Sequence, residues 1–342
     1  MRKGPVNKLS AIGSLAATGL CFWLAGCEQD VTMTGSGETV PVVFAMLNPD
    51  DSVHYMRIGR SYKSEGNALD IARLKDSISY ERLVPRVELY TESGWKYHEL
   101  LFEPVSEMNK EDGIFTGEGF QLYRCPVNFK SLIIKGTHLV LNVQPGLGQT
   151  LVSSVIEYVD PPKILAPKQG LLTYMNFYPA PVEVRFEDPP EFVRYELHVR
   201  LTVFNILTTG DTVVQVVDKL FTRNTENTGR PRLFSSISVN VPGDLLLTEV
   251  RQQIRSNDGV DYRMAGDFEI HLWTGSREYY DYIDLNRMAD DFGGRSITNI
   301  SGGAGVFGFR YLTRIDHLHL GQVTLDSLVN GRFTRNLKFK SW

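Results

Sequence analysis

A mainly β chain is what this sequence predicts, on three observations. Apolar residues recur with period two along most of its length. Gly, Pro, Asn and Ser punctuate those stretches at short intervals, as turns do. Helical spacing is confined to a few short segments. The expected architecture is an N-terminal immunoglobulin-like β-sandwich over 41–160 and a linker over 161–171. A larger antiparallel β domain with about two helices follows over 172–342.

The first element is a leader. Arg2, Lys3 and Lys8 form a basic start, and no acid precedes Glu28. Leu9–Ala25 is uncharged and mostly apolar over 17 residues, short of the roughly 20 that a bilayer-spanning helix needs. It suits the hydrophobic region of a secretory signal. Its end, "LAGC" (Leu24–Cys27), resembles the lipobox of bacterial lipoproteins. That resemblance implies cleavage of residues 1–26 between Gly26 and Cys27 and acylation of the Cys27 thiol. Several buried acyl chains hold a protein at a membrane without a spanning helix. The acidic "EQD" that follows resembles a surface-export signal of Bacteroidota lipoproteins, which implies an outer-membrane body exposed at the cell surface. Residues 27–40 read as a Gly/Ser/Thr-rich tether.

Strands follow. "PVVFAMLNP" and "SVHYMRIGRSY" are the first two, and "NALDIARLKDSI" (67–78) has the look of a short helix capped by Asn67. "VPRVELYTESGWKYHELLF" predicts a hairpin turning at Ser93-Gly94. Val87, Leu89 and Thr91 share one face of it, and Trp95, Tyr97 and Leu101 share a face on the return. "GIFTGEGFQLYRC" and the pair in "THLVLNVQPGLGQTLVSSVIEYV" complete the sandwich. Cys125 stands alone after lipidation of Cys27 and the loss of Cys21, so it reads as a small buried apolar residue.

The linker holds three prolines within "DPPKILAPKQG". Beyond it, "VRYELHVRLTV" alternates strictly, with Val193, Tyr195, Leu197, Val199, Leu201 and Val203 on one face. "VVQVVDKLF" and "DFEIHLW" behave alike. Two segments carry helical spacing. In "GDLLLTEVRQQIRSNDG", Asp244 is the expected N-cap and Gly259 the stop. "SREYYDYIDLNRMADDFGG" starts near Ser276, with Tyr279, Tyr282 and Ile283 on one side.

"NISGGAGVFGFRYLT" (299–313) contains G-x-G-x-x-G in Gly303, Gly305 and Gly308. A dinucleotide fingerprint needs a strand before, a helix after and an acid about 20 residues on. Here the following residues alternate like a strand, and 35 residues are too few for the rest of a nucleotide domain. Asp326 lies at a tempting distance, but one acid at one spacing is chance. The expectation is a structural loop of Gly302, Gly303, Gly305 and Gly308 with no cofactor. The string from Asn299 to Gly308 resembles a C-terminal signature of a Bacteroidota lipoprotein family of unknown function, often encoded near TonB-dependent receptors. "PVVFAMLNPDDSVHYMRIGRSY" (41–62) and "SREYYDYIDL" are similar to the same family's earlier blocks. The resemblance implies a two-part, mainly β surface lipoprotein partnered with such a receptor. It implies no reaction.

Other constellations are sparse. "HLH" places His317 and His319 on one face of a strand beside Asp316. That is two ligands where a closed metal site needs more, so no metal is expected. Asp281, Asp284, Asp290 and Asp291 cluster on the second helix, where a solvated face is the plain reading and a glycosidase pair the alternative. Tyr279, Tyr280 and Tyr282 are a candidate ligand-contact surface. Loss of the leader's three cations takes the formal charge from −4 to −7, which argues against nucleic acid as a partner. The expected function is therefore a non-catalytic binding or accessory subunit at the envelope. A surface hydrolase or a structural adhesion protein are the alternatives.

Overall fold

Alternation of buried and exposed positions builds sixteen strands in the described residues. The computed structural model describes residues 40–61, 80, 83–105, 122–144, 152–168, 170, 173–225, 235–254, 257–288 and 298–341. The leader, Cys27, the expected helix over 67–78, Asp290 and Asp291 lie outside them. The first half contains β1 (Pro41–Leu47), β2 (His54–Arg60), β3 (Arg86–Tyr90), β4 (Lys96–Leu101), β5 (Glu103–Val105), β6 (Leu122–Cys125), β7 (His138–Val143) and β8 (Val152–Glu157). The second half contains β9 (Ile164–Ala166), β10 (Tyr174–Met175), β11 (Val182–Glu187), β12 (Arg194–Leu207), β13 (Thr212–Asn224), β14 (Ser236–Val241), α1 (Gly243–Gln253), β15 (Val260–Gly275), α2 (Arg277–Met288), β16 (Ala304–Leu320) and α3 (Gln322–Asn330). The chain is mainly β, as its period-two patterning predicts.

Three sheets result. Nine strands form the largest, in the order β13-β12-β15-β16-β1-β2-β6-β5 with β10 added beside β16. The others are β4-β3-β7-β8 and β14-β11-β9. One contiguous core joins them, drawing Val43 and Ala45 from β1, Val87 and Leu89 from β3, and Leu197 and Val199 from β12.

The hydrogen bonding departs from the expected division of the chain. β1 pairs parallel with β16, Val42 opposite Ala304 through Leu47 opposite Phe309, so the largest sheet runs through both halves. The 161–171 linker also contains β9, which pairs with β11. The reason is edge satisfaction: β2 covers one side of β1, and β16 supplies the partner on the other.

The late glycines make this joint possible. Gly305 has φ +108°, and a Cβ there would strike the backbone of Val43. A Cβ on Gly303 would come within 2.7 Å of the Pro41 carbonyl oxygen. Asn299 closes the loop from its other end: its Nδ2 donates to the Phe307 carbonyl (2.7 Å), and its Oδ1 accepts from the Phe307 N–H (3.0 Å). Ser301 and Ser153 exchange backbone bonds of 2.7 and 3.0 Å, which tie the loop to β8. Of the four glycines expected in a loop, Gly302 and Gly303 precede β16 and Gly305 and Gly308 lie within it, a strand where a dinucleotide site would have a helix.

Local differences have local causes. Helix α1 has Pro242 at its N-cap position, and Asp244 lies in the first turn, accepting from Tyr178 Oη (2.6 Å) and Arg332 Nη2 (2.8 Å). It ends at Gln253, because Ile254 turns out to extended backbone and buries itself in the core. Gly259 serves the turn into β15. In the β3–β4 hairpin, Gly94 supplies the left-handed turn residue. A register shift at Leu89/Tyr90 then buries Leu100 and leaves Leu101 and Trp95 exposed. Among the described residues of the second half a third helix, α3, joins the two expected there; it spans nine residues and buries Thr324 and Leu328.

Cys125 is buried, and burial pushes its thiol pKa up. His54, on β2, is 2% exposed, with its Nε2 donating to the Val127 carbonyl at 2.9 Å. Burial lowers its pKa against the smaller opposing pulls of that carbonyl and Asp51. A base with a depressed folded pKa takes up its proton more readily unfolded. Its contribution is therefore complete above the unfolded value, near 6.5, and is lost as pH falls from there towards the folded pKa. Urea midpoints measured across that window should drop with falling pH, and His54→Gln should flatten the drop. An unchanged slope in the variant would refute this.

Candidate functional site

Strict alternation in β12 buries Tyr195, Leu197, Val199, Leu201 and Val203 and turns Glu196, His198 and Arg200 to the opposite face. β15 does the same with Glu269, His271 and Trp273, and β16 with Arg310, Leu312 and Arg314. Register brings these together: His198 opposes His271, Arg200 opposes Glu269, and Arg314 opposes His271. The largest sheet therefore has one face in the core and one half-exposed face of charged and aromatic residues.

A β-bulge shapes the middle of that face. Phe268 pairs with Leu318 and Ile270 with Ile315, so Glu269 faces both Asp316 and His317. His317 takes a left-handed φ of 58°, uncommon for a residue with a Cβ. Bulges of this kind re-aim side chains. Here Asp316 turns towards His271 (Oδ1 to Nε2, 3.5 Å) and Arg314 (Oδ2 to Nε, 3.0 Å). Glu269 Oε2 lies 3.3 Å from His271 Nε2 and 3.2 Å from Arg200 Nη1. Arg200 Nη1 also lies 3.2 Å from His271 Nδ1. Because a guanidinium only donates, Nδ1 accepts, and the neutral ring carries its proton on Nε2. Burial, and secondarily the Arg200 charge, lower the His271 pKa.

Among the described residues, Glu269, His271 and Asp316 form the group able to hold a cation, their ligand atoms lying within 4.8 Å of one another. Of the expected "HLH" group only Asp316 is among them. His317 and His319 turn instead to Asp267, their Nδ1 atoms 2.7 and 3.6 Å from its carboxylate, and the closer contact raises the His317 pKa. The missed partners stood in "DFEIHLW", whose alternation puts Asp267, Glu269 and His271 on one side of a strand.

The three tyrosines of α2 go to different places. Tyr280 is 3% exposed, under the Arg194 guanidinium at 4.8 Å. Tyr282 meets Phe44 edge-on at 5.4 Å. Tyr279 lies beside Arg310, which stacks on Trp273 at 4.2 Å. That last group is the part of the expected platform on the half-exposed face. Asp284 is bound to Arg194 (2.5 Å), and Asp281 lies 3.8 Å from Arg277.

A cleft of about 680 Å³ opens where α1 ends beside β13, lined by Val213, Gln215, Gln253, Asn205 and Arg263 among others. Arg263 is 1% exposed; its Nε donates to Asn205 Oδ1 (2.6 Å), and its Nη1 to Asn257 Oδ1 (2.6 Å) and the Leu337 carbonyl (2.7 Å). Backbone bonds from Arg263 N to Lys338 O and from Lys340 N to Arg263 O, both 2.9 Å, lay the C-terminal residues beside it.

No family model matches the chain, and no curated protein does. Among solved structures it is similar to trypsin-activated alpha-2-macroglobulin from Escherichia coli, at 8% identity and a TM-score of 0.19, over 82% of this chain and 16% of that one. It is similar also to CBD12 from CALX1.2, at 10% identity and a TM-score of 0.19, over 82% of this chain and 99% of that one. At such TM-scores neither likeness carries an argument about function.

Proposed function

We propose that the chain is an outer-membrane lipoprotein, anchored through Cys27, that works as a non-catalytic binding or accessory subunit of a TonB-dependent receptor. The leader and "LAGC" support the anchor. The half-exposed face of the largest sheet is the observation that carries the binding reading. Its polar side chains are held by cross-strand partners, as in Arg200–Glu269 and His198–Asp218 (2.9 Å). Fixed charges beside the Trp273–Arg310–Tyr279 stack suit recognition, because little side-chain freedom is left to lose on binding.

The test is a C-terminally tagged chain recovered from detergent-solubilised outer membrane. A barrel receptor should co-purify, and repeated recovery alone would reject the accessory role. Cys27→Ser should leave residues 1–26 attached and abolish incorporation of labelled fatty acid into the protein. A serine variant that still matures and takes up the label would reject the anchor.

A further inference from the structure

We infer that Glu269, His271 and Asp316 form a binding site for a first-row divalent transition cation of the zinc class, with Arg200 as its built-in competitor. The inference does not depend on the receptor partnership. Its first support is spacing. Zinc ligands at about 2.0–2.2 Å in tetrahedral array stand roughly 3.2–3.6 Å apart. His271 Nε2 lies 3.3 Å from Glu269 Oε2 and 3.5 Å from Asp316 Oδ1.

The second support is the enclosure of the imidazole. His271 Nε2 is a buried polar atom whose contacts with the two carboxylates, at 3.3 and 3.5 Å, are poorly aligned as hydrogen bonds. A buried group paired this poorly is costly, and once its proton has moved to Nδ1 the Nε2 lone pair can take a cation held between the three ligand atoms. The side chain is 12% exposed, so the imidazole is largely enclosed while both carboxylates remain within reach of solvent. One imidazole and two carboxylate oxygens favour zinc, manganese or ferrous iron over magnesium, which prefers an all-oxygen shell.

Arg200 sets the affinity. In the cation-free state its contact with Nδ1 keeps the imidazole proton on Nε2, where the cation must bind. Capture moves that proton to Nδ1 and turns the guanidinium aside. The Arg200 side chain is 31% exposed and has room to leave. Arg314 stays on Asp316 Oδ2, leaving Oδ1 for the cation.

Calorimetric titration of the full chain in detergent with zinc chloride, in millimolar magnesium, tests this. Single-site zinc uptake is expected. His271→Ala should weaken it by more than about tenfold, the scale on which altered metal surroundings act. Arg200→Ala should tighten it by about tenfold, through loss of an adjacent positive charge. Asp267→Asn, which breaks the exposed His317 pair, should leave it unchanged. Asp316→Asn serves as a second ligand variant should His271→Ala not fold, as judged by circular dichroism. Equal uptake by the wild type and the folded ligand variants would overturn the site. So would no uptake by either the wild type or Arg200→Ala, or a loss confined to Asp267→Asn.

Discussion

Gly305→Ala is expected to destabilise the protein by more than about 3 kcal/mol, read as a fall in the urea midpoint. A side chain held at positive φ costs about 1–3 kcal/mol by itself. Gly305 has φ +108°, and its new Cβ would also meet the Val43 backbone, which cannot yield without breaking the β1–β16 pairing. Gly210→Ala separates the two effects. Gly210 has φ +90° with open space where the Cβ would go, so only backbone strain applies. Equal losses in the two variants would show that the close approach contributes nothing.

Arg263→Met should cost about 3 kcal/mol or more, because each buried acceptor left without its donor costs about 1–3 kcal/mol. Methionine fills much of the volume but leaves Asn205 Oδ1, Asn257 Oδ1 and the Leu337 carbonyl without these donors. Arg263→Lys keeps the charge and loses the planar fork, so it should remain about 1–3 kcal/mol below the wild type. Hydrogen exchange gives the local readout: the Lys340 amide, bonded to the Arg263 carbonyl, should lose protection first. A midpoint unmoved by Arg263→Met would show that these bonds add nothing to stability.

What was legible in the sequence was whatever a single strand shows by itself. Tyr195 to Val203 alternate because one side of β12 meets the core, and that pattern needs no knowledge of neighbours. The choice of neighbour is different. Nothing in "PVVFAML" distinguishes a strand paired within its own half from one paired with β16, because period two reports burial and not partners. The glycine string carried the relevant clue, adjacent glycines before a strand, but the backbone they accommodate lies far away in sequence. Leu100 replaced Leu101 in the core because one register shift reverses every side chain after it. The cation ligands were half legible. Alternation put Glu269 and His271 on one side, yet only the bulge opposite Glu269 turns Asp316 to meet them, and a bulge leaves no periodic trace.

Pairing β1 with β16 has a cost in time. About 260 residues separate Val42 from Ala304, and contacts so remote in sequence form slowly. Until the final segment is synthesised and delivered, β1 has a bare flank open to any other extended chain. Such a chain needs protection while it is incomplete, and its earlier half cannot finish its largest sheet before β16 arrives.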